Sequence, residues 1–105
     1  MGTRILTVED DERIRTAVKL ALEDEGWQVN EASNGEDALL SFRREPADVV
    51  LIDIMLPGID GFETLSRLRE WYTDPVIILS ATDQEQEKVR ALDIGADDYI
   101  TKPFG

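Results

Sequence analysis

The sequence predicts an α/β domain in which a parallel sheet is covered by helices on both faces. Three observations lead there. Near-continuous apolar, β-branched runs recur at Ile5-Leu6-Thr7-Val8, Val49-Val50-Leu51-Ile52 and Val76-Ile77-Ile78-Leu79, the pattern of strands buried on both sides. Segments of helical period lie between them. Strict alternation of strand and helix then requires right-handed crossovers between parallel strands. The 105 residues are expected to form a single domain, 1–105, with no repeat, linker or low-complexity tract.

The remaining elements follow in order. Ile14, Ala17, Val18, Ala21 and Leu22 share one face of a first helix that Gly26 stops. Trp27 to Ala32 alternates polar and apolar residues, as a strand at a sheet edge does. Asn34-Gly35 precedes a second helix carrying Ala38, Leu39 and Phe42, closed by Pro46. Asp60 with Glu63 forms a capping-box pattern for a third helix, with Phe62, Leu65 and Leu68 inward. Thr82 with Glu85 repeats that pattern for a fourth helix, whose apolar stripe is only Val89, Leu92 and Ala96. It is the most weakly anchored of the helices. Tyr99-Ile100 supplies a short fifth strand.

Composition narrows the chemistry. Eleven basic and 23 acidic residues leave a net charge of −12, which repels nucleic-acid phosphates and anionic lipid, so direct binding to nucleic acid or membrane is not expected. There is no cysteine and no histidine, which excludes disulfides, thiolate or imidazole catalysis and zinc sites built on those ligands. No run approaches the roughly 20 apolar residues of a membrane span, and the start has no signal-peptide shape. A soluble, cytoplasmic protein is the expectation. What remains for chemistry is carboxylate, hydroxyl, lysine and a hard cation held by oxygen.

In sheets of this kind the functional site lies beyond the carboxyl ends of the strands. Glu9, Asp10 and Asp11 follow the first strand, Asp53 the third, Ser80 the fourth and Lys102-Pro103 the fifth. Three carboxylates, Glu9, Asp10 and Asp53, thus converge in one crevice, where like charges require a raised pKa or a bound cation. An all-oxygen donor set favours Mg²⁺ or Mn²⁺. Lys102 adds a fixed positive charge and Ser80 a hydroxyl. Acyl-phosphate chemistry needs this set: a carboxylate nucleophile, a divalent ion, and an ammonium and a hydroxyl for the remaining phosphoryl oxygens.

At these residues the chain resembles the receiver domain of two-component response regulators. The resemblance rests on Val8-Glu9-Asp10-Asp11, on Asp53 within Leu51-Ile52-Asp53-Ile54-Met55-Leu56-Pro57-Gly58, on Asp60-Gly61, on Ser80-Ala81 and on Gly95-Ala96-Asp97-Asp98-Tyr99-Ile100-Thr101-Lys102-Pro103-Phe104. Its wording is most similar to receivers joined to winged-helix DNA-binding domains. It implies a flavodoxin-like, doubly wound five-stranded sheet of order 2-1-3-4-5. It also implies that Asp53 accepts phosphoryl from a histidine kinase, to control an effector domain, without turnover beyond the domain's own phosphorylation and dephosphorylation. By position, Asp10 and Asp53 would ligate the metal, Glu9 would hold a metal-bound water and the Met55 carbonyl would be a third ligand. Ser80 and Lys102 would hold phosphoryl oxygens, with a cis Lys102–Pro103 bond aiming the ammonium. Ser80 and Tyr99 would form the switch that alters the fourth-helix and fifth-strand surface. Glu9 stands where many relatives have Asp.

Plainer roles stand beside these. Asp11 suits a helix N-terminus. Ser80 could cap a turn, Lys102 could be a solvated lysine, and Tyr99 alone reads as a half-buried edge aromatic. Trp27 and Trp71 read as packing residues, and Asp97-Asp98 as turn chemistry. A flavin carrier of the same sheet order is disfavoured because three acids occupy the phosphate-loop position. An aspartate-nucleophile phosphotransferase or phosphatase commonly needs a second carboxylate two residues on, where this chain has Met55. A non-phosphorylated binding module of the same fold is disfavoured by the intact set of acids, hydroxyl and lysine. Finally, the chain ends at Gly105, about where the family's fifth helix begins, so part of one sheet face is expected to lack cover. Self-association through that face, or through the fourth-helix and fifth-strand face, is the expected consequence.

Overall fold

The computed structural model describes residues 2–81 and 84–101. The elements are β1 (Arg4–Val8), α1 (Glu12–Asp24), β2 (Gln28–Ala32), α2 (Gly35–Arg44), β3 (Val49–Asp53), α3 (Gly61–Leu68), β4 (Val76–Ser80), α4 (Glu85–Ile94) and β5 (Asp98–Thr101). All strands pair in parallel in the order β2-β1-β3-β4-β5, with the alternating strand β2 at one edge. Among the described residues, no helix is long and apolar enough to cross a membrane.

The helices begin where the sequence places its caps. Asp11 accepts from the amides of Arg13 and Ile14, Asn34 from Asp37 and Asp60 from Glu63 at 2.8 Å, each supplying a partner to amides left over by the first turn. α4 starts later than the Thr82 cap implies. Thr82 itself lies outside the described residues, and the N-cap is Gln84, which makes no side-chain capping bond.

The core occupies one face of the sheet. Leu6, Val8, Val50, Ile52, Val76, Ile78 and Tyr99 point toward α2, α3 and α4, meeting Phe42, Phe62, Leu65, Leu68 and Ala91. On the other face α1 covers Ile5 and Thr7, while Val49, Leu51 and Ile77 are half-buried and Ile100 is exposed.

Two expectations about burial are corrected here. The α1 stripe is not a buried face: Ile14, Val18 and Leu22 are half-buried, and Ala17 and Ala21 are exposed. α1 covers one margin of the sheet, and no neighbouring helix encloses its flank among the described residues. In α4 the inward residue is Ala91, flanked by the half-buried Ile94, while Val89 and Leu92 are 50% and 45% exposed. Ala96 is buried, but in the turn beyond the helix. The helix is weakly anchored, with one buried residue, but it is not the most weakly anchored of the four as expected, since α1 buries none.

At the opposite end of the sheet from the acids, Arg69 ties three segments together. Its Nε donates to Gly95 O at 2.9 Å, and Nη1 donates to Tyr72 O and Asp74 O at 2.9 and 2.7 Å. Nη2 pairs with Asp97 Oδ2 at 2.8 Å, an oxygen that also accepts the Val76 amide. The carboxyl-terminal end of α4 is thereby fixed to α3 and to the start of β4. Replacing Arg69 with Ala leaves three carbonyls and a carboxylate short of donors. It should cost about 2–4 kcal/mol in urea unfolding; a loss below about 0.5 kcal/mol would contradict this role.

Candidate functional site

Strand register brings the acids together. Val8 lies opposite Ile52, so Glu9, one residue further along, leaves β1 beside Asp53, the last residue of β3. Asp53 in turn lies opposite Leu79, which puts Ser80 at the adjoining strand end. Glu9, Asp10 and Asp53 each offer a carboxylate oxygen, and these oxygens all lie within 4.8 Å of one another. Glu9 and Asp53 are buried, at 3% and 5% exposure, and Asp10 is exposed at the mouth.

Backbone groups hold the two loops that carry these residues. The Glu9 amide donates to Ala32 O at 3.0 Å, and the Asp11 amide donates to Glu9 Oε2 at 3.3 Å. The Met55 amide donates to Asp53 Oδ1 at 3.1 Å, which fixes the rotation of that carboxylate. The Met55 side chain is 71% exposed. After β3 the chain doubles back into α3, and the Gly61 amide donates to Ile54 O at 2.9 Å. A Cβ on Gly61 would stand 2.5 Å from Asp53 O and 2.6 Å from the Ile54 Cα, so only glycine permits this approach. A cavity of about 680 Å³ opens beside the acids, lined in part by Asp10, Met55, Phe62, Glu87 and Arg90.

The other predicted residues fall as follows. Ser80 is fully buried at the end of β4. Tyr99 is buried in the core cluster, so the half-buried edge position suggested by its isolated context is corrected: β5 is an edge strand, but this side chain points to the face that α4 covers. Lys102 and the Lys102–Pro103 bond lie outside the described residues. Asp11 is the α1 cap. Trp27 and Trp71 are partly exposed, and Trp71 packs edge-on against Phe42. Sequence reasoning missed Arg15, whose Nη1 donates to the Glu9 carbonyl at 2.8 Å. The available signal was a cation one residue from the half-buried stripe of α1 and one turn beyond its acidic cap.

The donor set consists of carboxylate oxygens with backbone carbonyls nearby, and the chain has no histidine or cysteine. That chemistry fits a hard divalent cation. A family model described as the response regulator receiver domain matches residues 5–105. The chain belongs to the response regulator receiver domain family. Among relatives, it is 47% identical over 103 residues to the transcriptional regulatory protein KdpE of Mycobacterium tuberculosis, covering 98% of this chain and 46% of that protein. It is 48% identical over 102 residues to the transcriptional regulatory protein CseB of Streptomyces coelicolor, covering 97% of this chain and 44% of that one. The chain therefore spans somewhat under half the length of these curated relatives. The BeF3-activated receiver domain of RstA from Klebsiella pneumoniae superposes with a TM-score of 0.94 at 34% identity, covering 97% of this chain and 87% of that one. The receiver domain of Francisella response regulator 1452 gives 0.93 at 38% identity, covering 99% and 87%.

In a receiver domain with this acidic crevice, removing one charge should relieve repulsion when no cation is present. Asp10→Asn should raise the unfolding midpoint measured in chelator, through a gain in unfolding free energy on the order of 1 kcal/mol, the aqueous Coulomb cost of a like-charge pair at such a distance. A midpoint at or below the parent's would mean that the carboxylates do not repel one another appreciably.

Proposed function

We propose that this receiver domain is the phosphorylation-controlled switch of a two-component transcriptional regulator in the cytoplasm, with Asp53 as its phosphoacceptor. The observation that carries the reading is the convergence of Asp53 with Glu9 and Asp10 at the strand ends, where Asp10 lines a cavity of about 680 Å³. An Asp53 oxygen attacks the phosphorus of a phosphohistidine on the partner kinase. The P–O bond forms as the P–N bond breaks, and the imidazole leaves with the electron pair and takes up a proton. The Met55 amide holds Oδ1 during the approach, so the nucleophile meets phosphorus with its plane set.

Asp10 and Asp53 would ligate Mg²⁺ (or Mn²⁺), with Glu9 through a water and the Met55 carbonyl as a further ligand. When bound, the ion neutralises phosphoryl oxygens as charge develops on them. Ser80 would take one phosphoryl oxygen and Lys102 another. The domain would turn over nothing but its own phosphorylation and dephosphorylation.

The output follows from the packing of α4. Among the described residues, this helix is pinned at its carboxyl-terminal end by Arg69, receives no capping hydrogen bond from the side chain of its N-cap Gln84 and buries Ala91 alone. Its amino-terminal half can repack at small cost as Ser80 moves toward the phosphoryl group and Tyr99 follows. The exposed Val89 and Leu92 lie on the surface so altered, which an effector domain, DNA-binding in this reading and in keeping with the transcriptional regulatory relatives, would read. The half-covered face at Val49, Leu51, Ile77 and Ile100 is the second surface open to further polypeptide or to another copy.

Incubation with Mg²⁺ and a small acyl phosphate should add the mass of one phosphoryl group to the parent and none to Asp53→Asn. Undiminished labelling of the variant would overturn the assignment. In the labelled parent, amide exchange across residues 82–100 should change; identical protection would remove α4 and β5 from the switch.

A further inference from the structure

One cation reaches the acidic turn from the helix side. Arg15, in the first turns of α1, donates from Nη1 to the carbonyl of Glu9 at 2.8 Å. Its Nε lies 3.5 Å from Glu31 Oε1 on β2, and the second oxygen of Glu31 pairs with Lys19 Nζ at 3.5 Å. The Arg15 side chain is only 19% exposed. A planar guanidinium with donors on two edges thus spans two strands, gripping the peptide after β1 with one edge and a β2 carboxylate with the other.

The gripped peptide leads from Glu9 to Asp10, the two acids that the turn contributes to the cluster. Fixing the Glu9 carbonyl fixes the plane of that peptide, and with it the directions in which both carboxylates leave the backbone. We propose that Arg15, oriented by Glu31, is a positioning residue for the cation site: it holds Glu9 and Asp10 in the geometry that binds a divalent ion. The proposal rests on the reading of the acidic cluster as a cation site.

Charge and position act with opposite signs, which makes the role measurable. As a nearby positive charge, Arg15 repels a divalent ion, so losing the charge alone would tighten binding. As a positioning group, it favours binding, and losing it weakens binding, because a ligand freed from its supporting hydrogen bond must be ordered again by the ion. A purely structural role would lower the unfolding midpoint and leave the Mg²⁺ affinity of the folded molecules at the parent value. Lysine keeps the charge but cannot hold two acceptors in one plane.

The test is calorimetric titration with Mg²⁺ of the parent, Arg15→Gln, Arg15→Lys and Glu31→Gln. Amide exchange at Asp10 and Asp11 is followed alongside, in chelator. Arg15→Gln should bind Mg²⁺ roughly tenfold more weakly, the lower end of the loss usual for such supporting groups. Arg15→Lys should also bind more weakly despite its retained charge, Glu31→Gln should shift the same way by less, and the Asp10 and Asp11 amides should exchange faster in all three. Unchanged or tighter binding in Arg15→Gln and Arg15→Lys, with exchange as in the parent, would overturn the proposal. Should Arg15→Gln fail to fold, Arg15→Lys and Glu31→Gln decide by the same criteria. A parent that binds no Mg²⁺ would defeat the cation-site reading instead. The metal-free exchange then decides the positioning role alone, faster exchange upholding it and parent-like exchange overturning it.

Discussion

Three carboxylates held within 4.8 Å of one another are the constraint on which the rest of the molecule depends. Two of them are buried, and buried like charges favour any rearrangement that separates them. The fold resists this with backbone, since backbone cannot be rotated away. Glu9 is secured by its amide to Ala32 and Asp53 by its place at the end of a central strand, with Oδ1 on the Met55 amide. Gly61 lets α3 start hard against the Asp53 peptide. In the proposed function that repulsion would supply the affinity for a cation, and through the cation for a phosphoryl group.

Rigidity is distributed accordingly. The face toward α2, α3 and α4 holds the continuous core, and Arg69 closes its far end by bonding to three backbone carbonyls. Of the two sparsely buried helices, α1 and α4, it is α4 whose first turn adjoins the site and whose last is pinned. In the proposed function, a helix fixed at one end and weakly packed at the other would convert a small movement near Ser80 into a change of outward surface around Val89 and Leu92. Among the described residues the second sheet face has no such continuous cover, and Val49, Leu51 and Ile77 are half-buried there.

The elements and their order were legible because parallel strands buried between helices have little choice but to be apolar runs, and because Asp11, Asn34 and Asp60 mark helix starts chemically. The acids were legible because topology alone sends the ends of β1 and β3 to one place. Burial of the α1 and α4 stripes was not. A helical period says which residues share a side, and not whether anything lies against that side. Ala17 and Val89 keep the right spacing and meet solvent. Arg15 escaped notice for a different reason: its partner in the site is a carbonyl, and a carbonyl leaves no mark in a sequence.

The central claim is that the repulsion among Glu9, Asp10 and Asp53 is balanced by a divalent ion at these strand ends. Its most direct test is the urea midpoint of the parent domain measured over increasing Mg²⁺. Binding to the folded state alone should raise stability by about 1.4 kcal/mol for each tenfold rise above the dissociation constant. The account predicts that slope for the parent and its loss when Asp10 and Asp53 are both replaced by Asn. A midpoint indifferent to Mg²⁺ in the parent, or a slope unchanged in the double variant, would contradict it.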